Sequence, residues 1–248
     1  ISRSPKKPGV AAPSNLDDIC VAGITPFTTI DFPGRLAGVF YLQGCPWRCR
    51  YCYNSEFWPL PPAGMRVPLE KILHFLTARK GHLDGIVFSG GEPTVHERLP
   101  VWMKVVRDMG FEIGLHTGGM VPGHLGEVLP LCDWVGMDIK APFSLYEKVT
   151  QIKGSGEMAR QSTALVLASG VDYEFRTTVH PSLLQESEIL ELARELSVMG
   201  CKNYVLQMFH SEHCSDKELR ESDVPVAGVS ANLRQTLKSL FPSFHVRE

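Results

Sequence analysis

The chain has 248 residues, 44% of them hydrophobic and 21% charged, and its 25 basic and 27 acidic side chains leave a net charge of −2. That describes a globular chain long enough to bury a sizeable core. It excludes nucleic-acid binding through a basic face, since no Lys/Arg block stands out, and a spanning helix, since no apolar run reaches about 18 residues.

The first 20 residues are polar and rich in Pro and Ser, and are expected to form a flexible tail without the apolar core of a signal peptide. Residues 21–248 are expected to form one domain. Past the tail, β-type apolar runs alternate with amphipathic stretches. The spacing predicts strands over residues 36–43 (LAGVFYLQ), 84–89 (DGIVFS), 111–117 (FEIGLHT), 134–140 (WVGMDIK), 171–179 (VDYEFRTTV) and 204–209 (YVLQMF). Helices are expected over about 68–80, 99–109, 123–131, 156–168, 186–199 and 229–240. Six β-then-α units in a row predict an α/β fold with a parallel sheet, either doubly wound or part of a barrel.

In such folds chemistry gathers at the C-terminal ends of the strands. The first predicted strand is followed by Cys45-x3-Cys49-x2-Cys52, and the second by Ser89-Gly90-Gly91-Glu92-Pro93. The third ends in His116-Thr117-Gly118-Gly119 and the fourth in Asp138-Ile139-Lys140. Arg176 lies on the fifth, which ends near His180-Pro181, and the sixth runs into Gln207-Met208-Phe209-His210. Polar or reactive residues at all six ends are hard to explain by packing alone.

Seven cysteines, odd in number and without framework spacing, fit a reduced cytoplasmic chain. Three thiolates within eight residues suit an iron–sulfur cluster with one iron left open for a ligand. A zinc site completed by His210, His213 or Cys214, or buried thiols without metal, are the other readings. Cys20, Cys132 and Cys201 read as small apolar core residues. Gly90-Gly91 after a strand would let a ligand approach the backbone, and Glu92 could pair with an ammonium group; a plain β-to-α turn is the alternative. No G-x-G-x-x-G or G-x-x-x-x-G-K-[ST] motif occurs.

The paired motifs Cys45-x3-Cys49-x2-Cys52 and Gly90-Gly91-Glu92-Pro93 resemble those of the radical S-adenosylmethionine enzymes. The stretch Thr29-Ile30-Asp31-Phe32-Pro33-Gly34-Arg35, followed by QGCPWRCRYCYN, is similar to the glycyl-radical-enzyme activases, above all those serving anaerobic ribonucleoside-triphosphate reductase, to which those of pyruvate formate-lyase are related. The resemblance covers about residues 21–210. It implies a partial (β/α)6 barrel of the TIM-like, radical SAM type, with Cys45, Cys49 and Cys52 as catalytic ligands of a [4Fe-4S] cluster. Its cofactor S-adenosylmethionine would meet Gly90, Gly91 and Glu92 through its amino group, Tyr51 through adenine and Lys140 through its carboxylate, with Arg176 and His210 on the remainder. Asp31 would face the backbone of the incoming glycine loop.

The implied reaction is reductive cleavage of S-adenosylmethionine and removal of a glycine Cα hydrogen from a partner glycyl radical enzyme, with a flavodoxin or ferredoxin as electron donor. The implied monovalent-cation site uses an Asp-Thr pair with Asp138; here that pair is His116-Thr117, a poor match for a cation that prefers oxygen. Tyr53 stands where the activases usually carry histidine. The 36 residues between Cys52 and Ser89 include no cysteine, so one cluster is expected. Two other readings are a radical SAM enzyme acting on a small molecule, as in 7-carboxy-7-deazaguanine synthase, and a zinc-stabilised interaction module. The Asp31-x-Pro-Gly34 loop favours the activase.

Overall fold

The computed structural model of the chain describes residues 19–64, 66–212, 214–222 and 228–247. The expected tail lies, but for its last two residues, outside the described residues, as does His213. In chain order the elements are β1 (Val21–Thr28), β2 (Ala37–Leu42), α1 (Leu69–Arg79), β3 (Gly85–Gly90), α2 (Leu99–Asp108), β4 (Glu112–Thr117), α3 (Pro122–Val128) and β5 (Trp134–Asp138). There follow α4 (Tyr146–Thr150), α5 (Ser155–Ser169), β6 (Asp172–Val179), α6 (Glu186–Val198), β7 (Asn203–Met208), α7 (Lys217–Arg220), α8 (Ala231–Leu240) and β8 (Ser243–Arg247). No described helix is long and apolar enough to cross a membrane.

The eight strands form one sheet in the order β1 to β8. β1 runs antiparallel to β2, and every later neighbour is parallel. Parallel neighbours need a crossover, and the helices supply it on the outer face. The six predicted strands are β2 to β7, each within two residues at either end. β1 and β8 were not anticipated. They sit at the two edges and do not pair with each other among the described residues, so the sheet stays an open partial barrel.

The alternation of side chains across the strands creates two cores. On the outer face Phe40, Ile86, Phe88, Ile113, Leu115 and Val135 pack against Ile72 and Leu76 of α1 and Leu99, Trp102, Met103 and Val106 of α2. The α2 set recurs at i, i+3, i+4 and i+7, one stripe of a helix. On the inner face lies a smaller group of Phe32, Ala37, Val39, Val87 and Trp134. Phe32 comes from the β1–β2 loop and stacks on Trp134 with ring centroids 6.0 Å apart. It fits because Gly85 and Gly114 face it: a Cβ at either would stand 2.8 or 3.2 Å from its ring. The loop bearing Asp31 is thereby plugged into the barrel.

Candidate functional site

The cysteine-bearing loop leaves β2 at Gln43 and is fastened on three sides. Gly44 and Cys45 donate backbone N–H groups to Phe57 and Trp58 (2.8 and 3.2 Å), and Arg48 and Arg50 donate theirs to Thr150 and Val149 at the end of α4 (3.0 and 3.1 Å). The Arg50 side chain turns outward to Asp216 (2.6 Å) and Glu218 (2.9 Å). Tyr53 closes the far end, its hydroxyl accepting from the His210 backbone N–H at 2.8 Å.

Cys45, Cys49 and Cys52 all line one cavity of about 420 Å³. Burial pushes the Cys49 thiol up to about 11, and raises those of Cys45 and Cys52 as well. Such thiols stay protonated on their own and give up their protons to a metal centre. Among the described residues no three His, Cys, Asp or Glu side chains converge closely enough to hold a single ion. Three thiols lining one cavity fit a cluster in which each takes a different iron. Cys214, considered as a zinc ligand, is buried and donates instead to the Arg50 carbonyl at 3.5 Å.

The glycine pair is required by the chain's own backbone, and both glycines also line the cavity. A Cβ at Gly90 would stand 2.3 Å from the Leu42 nitrogen, and one at Gly91 would stand 2.5 Å from the Gly44 carbonyl oxygen. The space belongs to the chain's own backbone, and the glycines let the cysteine loop close on β3. Gly90 also has φ of +112°, a conformation L side chains rarely adopt.

Glu92 is buried and accepts four hydrogen bonds. They come from the Thr94 backbone N–H (3.0 Å), the Thr94 hydroxyl (2.6 Å), the Thr117 hydroxyl (2.6 Å) and the Gly118 N–H (2.8 Å). Three of the four reach Oε1 and one reaches Oε2, which keeps a lone-pair position open among the described residues. All are neutral, so the negative charge at this end of the cavity is solvated but not paired.

At the other end the charge is positive. Asp138 takes Lys140 on one oxygen (3.3 Å) and Arg176 on the other (3.1 Å), two cations to one anion. Burial raises the Asp138 carboxyl, but Lys140 and Arg176 outweigh it and hold it below its usual range. Burial likewise opposes the Lys140 ammonium, yet the ionised Asp138 beside it favours the charged form, and its pKa lies above the usual lysine range. Lys140 also lies 5.4 Å above the Tyr51 ring centre. A cavity negative at Glu92 and positive at Lys140 and Arg176 matches a zwitterion.

His116 joins the sheet to the β1–β2 loop: its Nε2 lies 2.9 Å from the Asp31 carbonyl oxygen, which can only accept, so Nε2 carries the proton. This commits the ring to the loop. Burial, reinforced by Arg176, lowers the imidazole to about 4. Between about pH 6.5 and 4 the unfolded chain therefore binds a proton that the folded chain does not. The stability owed to neutral His116 is complete above that window and is lost as pH falls through it. In urea titrations the difference between wild type and His116→Gln should change by up to about 3 kcal/mol across the window. A difference independent of pH would rule out the neutral imidazole.

The structure gathers around this cavity every site residue the sequence suggested: the three cysteines, Asp31, Tyr51, Gly90, Gly91, Glu92, Thr117, Asp138, Lys140, Arg176 and His210. It adds Trp47, Trp58, Met120, Thr178 and Arg247, which sequence reasoning missed. Arg247 was readable only through its strand, SFHVR, whose Phe244 and Val246 alternate with polar residues.

The model of the Radical SAM superfamily matches residues 39–196. The chain is 29% identical over 237 residues to a Methanocaldococcus jannaschii protein named as a presumptive glycyl-radical enzyme activating enzyme, covering 92% of this chain and 95% of that one. It is 34% identical over 116 residues to the pyruvate formate-lyase-activating enzyme of Clostridium pasteurianum, covering 45% and 48%. Among solved structures, SuiB of Streptococcus suis bound to precursor peptide SuiA superposes with a TM-score of 0.62 at 11% identity, over 85% of this chain and 48% of that one; this likeness concerns the fold.

Proposed function

Since the chain belongs to the radical SAM superfamily, we propose that it is an activase that installs a glycyl radical on a partner enzyme. The observation that carries this reading is the convergence of three thiols, the Glu92 rim and the Asp138–Lys140–Arg176 trio on one cavity. Cys45, Cys49 and Cys52 would hold a [4Fe-4S] cluster. That group, with S-adenosylmethionine bound, would supply the electron that splits the sulfonium and so the means of removing a glycine Cα hydrogen.

The chain's own residues bind and orient. Glu92 offers an unpaired negative charge to the methionine ammonium, beside the backbone of Gly90 and Gly91. Lys140 and Arg176 offer excess positive charge to the carboxylate. Tyr51 and His210 border the nucleoside, and Thr117 keeps Glu92 in place. Asp31 projects toward the partner's backbone. The client we propose is anaerobic ribonucleoside-triphosphate reductase, with a flavodoxin or ferredoxin as donor. The TIDFPGR loop and the lack of a second cysteine-bearing insert support that choice.

The test is anaerobic: reconstitute with iron and sulfide, reduce with dithionite, add S-adenosylmethionine, and separate the products by chromatography. 5′-Deoxyadenosine should form, and with the reductase present a glycyl radical should appear by electron paramagnetic resonance. A fully assembled, reduced protein that yields no 5′-deoxyadenosine refutes the reading.

A further inference from the structure

β5 continues past the end of β4, whose last residue, Thr117, lies opposite Met137. The residues that follow carry the charges at the positive end of the cavity. On the β6 side their backbone is satisfied: Ile139 donates its N–H to the Arg176 carbonyl at 2.8 Å, and its own carbonyl accepts from the Thr177 hydroxyl at 2.6 Å. The Asp138 carbonyl and the Lys140 N–H point the other way, where the ladder with β4 has ended. Tyr146, the first residue of α4, takes both. Its hydroxyl accepts from the Lys140 N–H at 3.1 Å and donates to the Asp138 carbonyl at 3.2 Å. Burial raises the phenol, which therefore keeps the proton it donates.

The same side chain reaches the cysteine loop. Tyr146 is fully buried, and its ring meets that of Trp47, which stands between Cys45 and Cys49, edge-on with centroids 5.6 Å apart. Phe143 stacks on the ring at 6.3 Å. At the other end of α4 the Val149 and Thr150 carbonyls receive the N–H groups of Arg50 and Arg48. Trp47 and Lys140 close on one spot as well: a Cβ at Gly118 would stand 3.1 Å from the Trp47 ring and 3.5 Å from Lys140 Cε. One buried, close-packed side chain thus touches both the loop that bears the thiols and the strand end that bears the opposing charges.

We propose that Tyr146 is a positioning residue that fixes Lys140 against the cysteine loop and so sets how tightly S-adenosylmethionine is held. Without the hydroxyl, the Lys140 N–H and the Asp138 carbonyl are buried without partners, and the strand end shifts to find others. The ammonium then leaves its place relative to the thiols. The loop, held by its own backbone hydrogen bonds, stays where it is. This rests on the reading of the cavity as the S-adenosylmethionine site.

The experiment uses reconstituted, unreduced holoenzyme, so that nothing is cleaved, and reads S-adenosylmethionine binding by equilibrium dialysis. Tyr146→Phe keeps the ring on Trp47 and Phe143 and removes only the hydroxyl. It should load iron like wild type and bind S-adenosylmethionine about tenfold more weakly. Tyr173→Phe is the control: it removes a hydroxyl that accepts the Lys202 N–H at 2.9 Å, outside the cavity, and should bind like wild type. Lys140→Met should weaken binding too, and in that background Tyr146→Phe should cost less than about twofold more. A further tenfold loss there would assign Tyr146 a general structural role and overturn the proposal. Wild-type affinity in Tyr146→Phe, or loss of its iron, would overturn it as well. Wild-type holoenzyme that binds no S-adenosylmethionine would refute the reading of the cavity itself, and the proposal would fall with it.

Discussion

Cys49→Ala is expected to reduce iron bound after reconstitution to background and to lower S-adenosylmethionine cleavage by roughly a thousandfold or more, because two thiolates cannot hold a cluster built for three. Cys49 is buried, and its loop is tied by backbone hydrogen bonds and by Arg50, none of which uses its sulfur. The metal-free protein should therefore stay folded, with a stability change of about 1 kcal/mol. Cys201→Ala is the matched control. That thiol is also buried, but it points to the Asn203 carbonyl at 3.5 Å, away from the cavity. It should keep its iron. Iron assay, the visible spectrum and chromatography of the products separate the two variants. Retention of iron and cleavage by Cys49→Ala would sink the cluster assignment.

Glu92→Gln should be damaging in a different way. The carboxylate receives four donors from three segments: the turn after β3, the end of β4, and Gly118 beyond it. An amide turns one acceptor into a donor that faces other donors, and leaves at least one of them buried without a partner. Each such group costs about 1–3 kcal/mol, so the metal-free variant should unfold about 2–5 kcal/mol more easily in urea. The charge offered to the ammonium is lost as well, and S-adenosylmethionine should bind at least about tenfold more weakly. Thr94→Val removes one donor while keeping the charge. It should cost about 1 kcal/mol and leave affinity near wild type. A Glu92→Gln protein with wild-type urea midpoint would show that the four hydrogen bonds do not hold the rim together.

Strands such as β2 and β3 were legible as near-continuous apolar runs, and β6, DYEFRTTV, through its β-branched and aromatic content. β1 was not: it carries Gly23 and Pro26, is half exposed over much of its length, and lies at an edge, where such residues are tolerated. β8 is five residues long and borders the sheet on one side only. The cysteine and glycine motifs were legible because their chemistry is written in short spacings. What Gly90 and Gly91 make room for was not, because it depends on the register that sets Gly90 beside Leu42. His116 binds a carbonyl 85 residues away, a relation no local pattern contains. Arg247 was missed together with its strand.

The order of the sheet follows the order of the chain, so each new strand of the nascent protein can add to the edge left by the last. The cysteine loop emerges early, with β2, but Asp216, which anchors Arg50, comes 166 residues later. During synthesis the cysteine-bearing face is thus shaped first and fastened almost last. Until that segment arrives, the loop is held through backbone hydrogen bonds to Phe57, Trp58 and α4, without the ion pair that the finished protein adds.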